Sequence, residues 1–223
     1  MKSKEILIQL INYLNDYEHD AQKKGGAINL TDFLGYLNSK HVPENVKVNA
    51  IKGNVNNDVL SPTHGNDTDI SILVVFLFRY AKGYMKKALK ESVINSADEF
   101  SFLITLMTYE SLTKTELIQK QVMEKTSGTE IINRLLKLEL MDQFNDEIDR
   151  RSMRLKITSK GKTEIVKILP QMKMVSELVA GNLTETEKIT LAFLLRKLEC
   201  FHNEIFINKK DIQLADLLNH SLN

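Results

Sequence analysis

Apolar positions recur along this chain mostly at helical spacing. Ile6, Leu7, Leu10, Ile11, Leu14 and Tyr17 follow the repeat of one helix face, and the Lys-Lys-Gly-Gly run at 23–26 ends that segment. A second, short helix is predicted to begin at 29–31 and to bury Leu30, Phe33, Leu34 and Leu37. Between His41 and Asp69 the chain turns polar and rich in asparagine, with Pro43, Gly53, Pro62 and Gly65, which reads as a connection rather than a packed element. A boundary is placed there. From Ile70 apolar residues crowd through Tyr84, and the continuation YAKGYMKKALKES predicts one long helix with Thr68 and Asp69 as candidate caps. A buried strand over 72–78 is the competing reading, because Val, Ile and Phe also favour strands. A helix apolar on several faces must be covered by other elements or by a partner chain.

The pattern then changes period twice. Phe100, Leu103, Ile104, Leu106 and Met107 mark another apolar helix. In LTKTELIQKQVMEK, Thr113 and Glu116 have capping-box spacing, and TSGTEIINRLLKLEL places Ile131, Leu135 and Leu138 on one face of the next helix. Two short helices joined by a few residues make a helix-turn-helix candidate. Period-two alternation follows: 140–144 as a strand, 145–151 as a polar loop, and 152–158 as a returning strand with Met153, Leu155 and Ile157 inward. Helix, turn, helix and hairpin in that order describe a winged helix. Beyond it, 158–179 reads as a long helix with a kink expected at Pro170. GNLTETEK breaks it with a second capping box at Thr184 and Glu187, and a last helix uses Leu191, Leu194, Leu195, Leu198, Phe201 and Ile205.

Composition narrows the class. With 223 residues, 43% hydrophobic content, nine glycines, three prolines and no tryptophan, the expected fold is mainly α with a small β-hairpin. The net charge of +1 singles out no partner, but residues 112–162 hold 11 Lys and Arg against 8 Asp and Glu, so the basic excess lies with the helix pair and hairpin. The single Cys200 excludes an intrachain disulfide and fits a reducing compartment. The first 20 residues lack the long apolar core of a secretion signal, and the run Ile72–Phe78 falls far short of the ~20 residues of a membrane span. No membrane contact is expected, and the cytoplasm is the expected location.

The segment 112–161 resembles the MarR family of bacterial transcription regulators: LTKTELIQKQVMEKTSGTEIINRLLKLEL looks like its helix-turn-helix and DRRSMRLKITSKG like its wing, with Asp149, Arg150, Arg151, Leu155, Thr158 and Gly161 the most specific matches. Coarser similarity covers 70–206. The resemblance implies a winged helix-turn-helix at 112–158, supporting helices at 70–111, C-terminal dimerisation helices at 159–223, and an added helical segment with its polar linker at 1–69. It implies a dimeric, sequence-specific DNA-binding regulator, a ligand-responsive repressor, reading a pseudo-palindromic duplex. The helix at 126–138 would enter a major groove, with Lys125, Thr126, Ser127, Thr129, Asn133 and Arg134 at phosphates or base edges. Arg150 and Arg151 of the wing would meet the minor groove, where narrow walls concentrate negative potential, and Asp149 would steady the wing arginine. A small aromatic or anionic ligand would sit between the dimerisation helices and the DNA-reading lobe. The chain departs from the family pattern at Gly128, at Glu130 on the recognition helix, and at Glu139 where relatives usually carry glycine.

Other chemistry is sparse. His19, His41, His64, His202 and His220 show no paired-ligand spacing, and no P-loop, zinc-binding cysteine set or nucleophile elbow occurs, so neither an enzyme nor a metal or organic cofactor is expected. Cys200 lies in an apolar helix and reads as a packed thiol rather than a sensor. The alternative function is a protein-interaction scaffold that keeps the winged helix without useful DNA affinity.

Overall fold

The computed structural model describes residues 3–24, 28–40, 65–146, 152–208 and 212–221. The chain divides into two compact units, Met1–Asp69 and Ile70–Asn223.

In the first unit α1 (Ser3–Lys24) and α2 (Leu30–Lys40) form a helical hairpin. Asn29 caps α2, its Oδ1 accepting from the Asp32 amide at 2.9 Å. Tyr17 is buried against the rings of Phe33 and Tyr36, at centroid distances of 5.5 and 5.6 Å. Leu30 and Leu34, expected inside, are exposed, as are Ile6, Leu7 and Ile11, because two helices alone can bury only one narrow stripe each.

The helix α3 runs from Asn66 to Ala88, which rules out the strand reading. It starts earlier than expected. The Gly65 carbonyl accepts from the Thr68 and Asp69 amides, so those two residues lie in the first turn rather than capping it. Ser96 caps α4 (Ala97–Thr108), accepting from the Glu99 amide. The chain then passes through a two-residue strand β1 (Leu112–Thr113) into α5 (Lys114–Lys120), α6 (Lys125–Lys137), β2 (Met141–Asn145) and β3 (Met153–Ile157). The expected capping box at α5 is formed: the Glu116 amide donates to Thr113 Oγ1 and the Thr113 amide to Glu116 Oε2 at 2.7 Å. That backbone hydrogen bond from Thr113 holds the Glu116 carboxyl below the usual glutamate range, with smaller help from the Thr113 hydroxyl, Arg154 and Lys120 against desolvation.

The sheet is three-stranded in the order β1-β3-β2, antiparallel throughout, with Leu155 opposite both Leu112 and Gln143. Leu155 and Ile157 face the core as the alternation predicts, whereas Met153 is only half-buried. The core gathers Phe102, Leu103 and Leu106 of α4, Leu117 of α5, Ile132 and Leu135 of α6, and Ile165 from α7 (Ser159–Ala180). α7 continues as one helix through Pro170. The capping pair Thr184 and Glu187 opens α8 (Glu185–Asn208), and α9 (Leu214–Ser221) closes the described chain. Neither α3 nor α8 has a buried residue. Cys200 is exposed on α8, not packed within the chain. No helix among the described residues is long and apolar enough to cross a membrane, and none of their His, Cys, Asp and Glu side chains form a metal-holding group.

Candidate nucleic-acid interface

The pair α5 and α6 meets at unusually close range. A Cβ on Gly128 would lie 2.5 Å from Ile118 Cγ1, so the glycine that departs from the family pattern is what lets the second helix lie against the first. Both helices end in the same way. After α5 the Met123 and Val122 amides donate to the Ile118 and Gln119 carbonyls, and after α6 the Leu140 and Glu139 amides donate to those of Leu135 and Leu136. These are Schellman ends, and they place Val122 at φ 50° and Glu139 at φ 58°, where glycine is the usual occupant.

Packing decides which face of α6 remains outside. Gly128, Ile131, Ile132 and Leu135 are buried. Thr126, Glu130, Asn133 and Lys137, at i, i+4, i+7 and i+11, form the opposite, exposed stripe, with Lys125 and Ser127 beside it at the N-terminal end. Thr129 is half-buried, and its hydroxyl donates to the Lys125 carbonyl at 2.6 Å, so it already serves its own helix. Arg134 also has a partner: its Nε donates to Glu99 Oε1 at 2.9 Å. Glu99 is 2% exposed and its other oxygen accepts from the Asn95 amide, whereas the Arg134 side chain remains half-exposed. This pair ties α6 to the start of α4.

The wing is anchored at its base. Arg154, in the middle strand, donates from Nε to Ser111 Oγ and from Nη2 to the Ser111 carbonyl, both at 2.8 Å, and from Nη1 to Asp146 Oδ2 at 3.0 Å. Asp146 is buried at the end of β2, and its amide donates to the Ser152 carbonyl across the hairpin. The far side of the wing is knit to the next helix by Thr158, whose amide donates to the Leu140 carbonyl while its Oγ1 donates to that of Glu139 and accepts from the Gly161 amide. A Cβ on Gly161 would collide with the Leu140 carbonyl, which explains the Thr158 and Gly161 of the wing motif. Asp149, Arg150 and Arg151, expected at the wing tip, lie outside the described residues.

Residues 96–161 match the family model described as a winged helix DNA-binding domain, from the cap of α4 to the glycine after the wing. The structure resembles that of a MarR mutant from E. coli complexed with operator DNA, with TM-score 0.56 and 19% identity over 62% of this chain and 99% of that one. The chain carries a winged helix domain in the MarR fold. BpsR of Bordetella bronchiseptica, whose DNA binding is regulated by 6-hydroxynicotinic acid, has TM-score 0.55 and 18% identity over 59% of this chain and 98% of that one. In sequence, the HTH-type transcriptional repressor NicR of Pseudomonas putida is 28% identical over 100 residues, 45% of this chain. The chain spans 63% of the length of that curated relative.

Within the winged helix domain, Lys125, Thr126, Ser127 and Asn133 sit on the exposed side of the second helix. Arg134 is at its edge, held by Glu99, and Thr129 is turned toward its own backbone. Sequence reasoning missed the two carboxylates that do the positioning, Glu99 and Asp146. Glu99 bonds a residue 35 positions away, which no local pattern reveals. Asp146 was more accessible: an arginine in the central strand, opposite Thr113 and Phe144, needs an anion near the end of a neighbouring strand.

Proposed function

We propose that this protein is a homodimeric, sequence-specific DNA-binding transcription regulator, a cytoplasmic repressor released by a small ligand. The observation that carries the reading is the exposed stripe Thr126, Glu130, Asn133 and Lys137, presented by a helix whose opposite face is packed into the domain and whose neighbour is an anchored wing. Groups capable of bonding base edges occupy the middle of that helix, and Lys125 and Lys137 flank them where phosphates run. Arg150 and Arg151 are assigned to the minor groove, with Asp149 as their support. A second copy is assigned to α3 and α8, which have no fully buried residue within the chain and expose Leu73, Phe78, Phe193 and Leu194. NicR being a repressor and BpsR being regulated by a pyridine carboxylate support the sense of the regulation. A cleft of about 380 Å³ between α3 and α7, lined by Tyr84, Lys87, Lys90, Gln171 and Met174 among others, offers a ring surface and two ammonium groups for an aromatic anion.

Selection of bound fragments from random duplex DNA at moderate salt tests the reading, with an Arg150→Ala/Arg151→Ala variant alongside. The native protein is expected to enrich two half-sites about 10 base pairs apart. The double variant is expected to bind the winning duplex more weakly and with a shallower salt dependence. Aromatic carboxylates added to that complex are expected to dissociate it. A folded dimer that enriches nothing would turn the reading toward a protein-interaction scaffold.

A further inference from the structure

Glu130 is the unexpected member of the exposed stripe. A carboxylate on a helix that faces DNA is repelled by phosphates, so its ordinary explanation would be a surface ion pair within the helix. Arg134 stands at i+4, the favourable order for such a pair. The structure gives that arginine to another carboxylate: its Nε donates to the buried Glu99 at 2.9 Å, and Glu99 also accepts from the Asn95 amide at 2.8 Å. Glu130 itself is exposed and makes no hydrogen bond or ion pair among the described residues. It lies one helical turn from Thr126 on one side and from Asn133 on the other, at the middle of the stripe rather than at its phosphate-facing ends.

We propose that Glu130 is a specificity-determining residue that accepts a hydrogen bond from the exocyclic amino group of a cytosine in the major groove. This rests on the DNA-binding reading above. An ionised carboxylate is an acceptor only, and the cytosine N4 amino group is a donor that it can satisfy. Adenine is the poorer target, because its N6 donor lies beside the N7 acceptor; that paired pattern suits the amide of Asn133, one turn away. The buried Glu99 therefore has two consequences. It fixes the edge of α6, and by engaging Arg134 it leaves Glu130 available to a base.

The test compares the native chain with Glu130→Gln and Glu130→Ala, each selected against random duplex DNA and then titrated with the native motif and its single-base variants. Glu130 touches nothing that holds the fold, so all three proteins are expected to melt alike, and both variants are expected to bind random duplex more tightly at low salt. The native motif is expected to contain a cytosine at one position of each half-site, favoured about 5- to 10-fold, the lower end of what one base contact contributes. Glu130→Gln is expected to shift that position toward adenine, since an amide supplies both donor and acceptor, and Glu130→Ala to lose the preference there alone. Identical motifs and ratios for all three proteins would overturn the proposal while leaving the regulator reading intact. Failure of the native protein to select any motif would instead remove the regulator reading, and this inference with it.

Discussion

Glu139 adopts φ 58°, and its amide closes the Schellman end of α6 onto the Leu136 carbonyl. A side chain in the left-handed region costs about 1–2 kcal/mol, and the exposed ion pair from Lys160 at 3.1 Å offsets only part of that. Glu139→Gly is therefore expected to stabilise the protein by about 1 kcal/mol and raise its melting temperature by about 2–4 °C in a thermal scan. A lower melting temperature would contradict this account of the helix end. At this scale legibility followed the range of the interaction. The Thr113 and Glu116 capping box spans three residues and is readable as a pattern; the reason for Gly128 lies in Ile118 of another helix and is not. Arg134 was expected at phosphates or base edges, and its pairing was hidden because Glu99, which engages it, is far away in the chain.

The hairpin shows the same division one level up. Its two main strands follow from period-two alternation and the helix pair from its apolar spacing, but β1 has only two residues and its pairing with β3 leaves no periodic trace. The early start of α3 was hidden for a related reason: the Gly65 carbonyl, a backbone group, closes its first turn where side-chain caps were expected. What holds the wing is Arg154, bridging Ser111 and the buried Asp146. Removing that guanidinium breaks its two hydrogen bonds to Ser111 and its charged hydrogen bond to Asp146. Arg154→Ala is expected to lower stability by about 2 kcal/mol in urea unfolding, within the range for losing hydrogen bonds that involve a charged group. It should also weaken DNA binding through a loosened wing. An unchanged urea midpoint would show that the bridge is incidental to the domain.

For the whole molecule, the mainly helical class and the winged helix could be read from the chain, because both rest on strong periodicity and element order. Burial was less legible. Apolar residues at helical spacing in α1, α3 and α8 remain exposed in the single chain, and hydrophobic spacing cannot distinguish a face meant for the protein's own core from one meant for another copy. In the proposed regulator, the exposed long helices meet a second copy and the packed helix pair with its anchored wing meets DNA. The most direct test is fluorescence anisotropy of the native protein at one physiological salt concentration, comparing the duplex recovered by selection with a scrambled duplex of the same composition. The account predicts a preference of at least about 10³-fold for the selected duplex. Equal affinity for the two would contradict it.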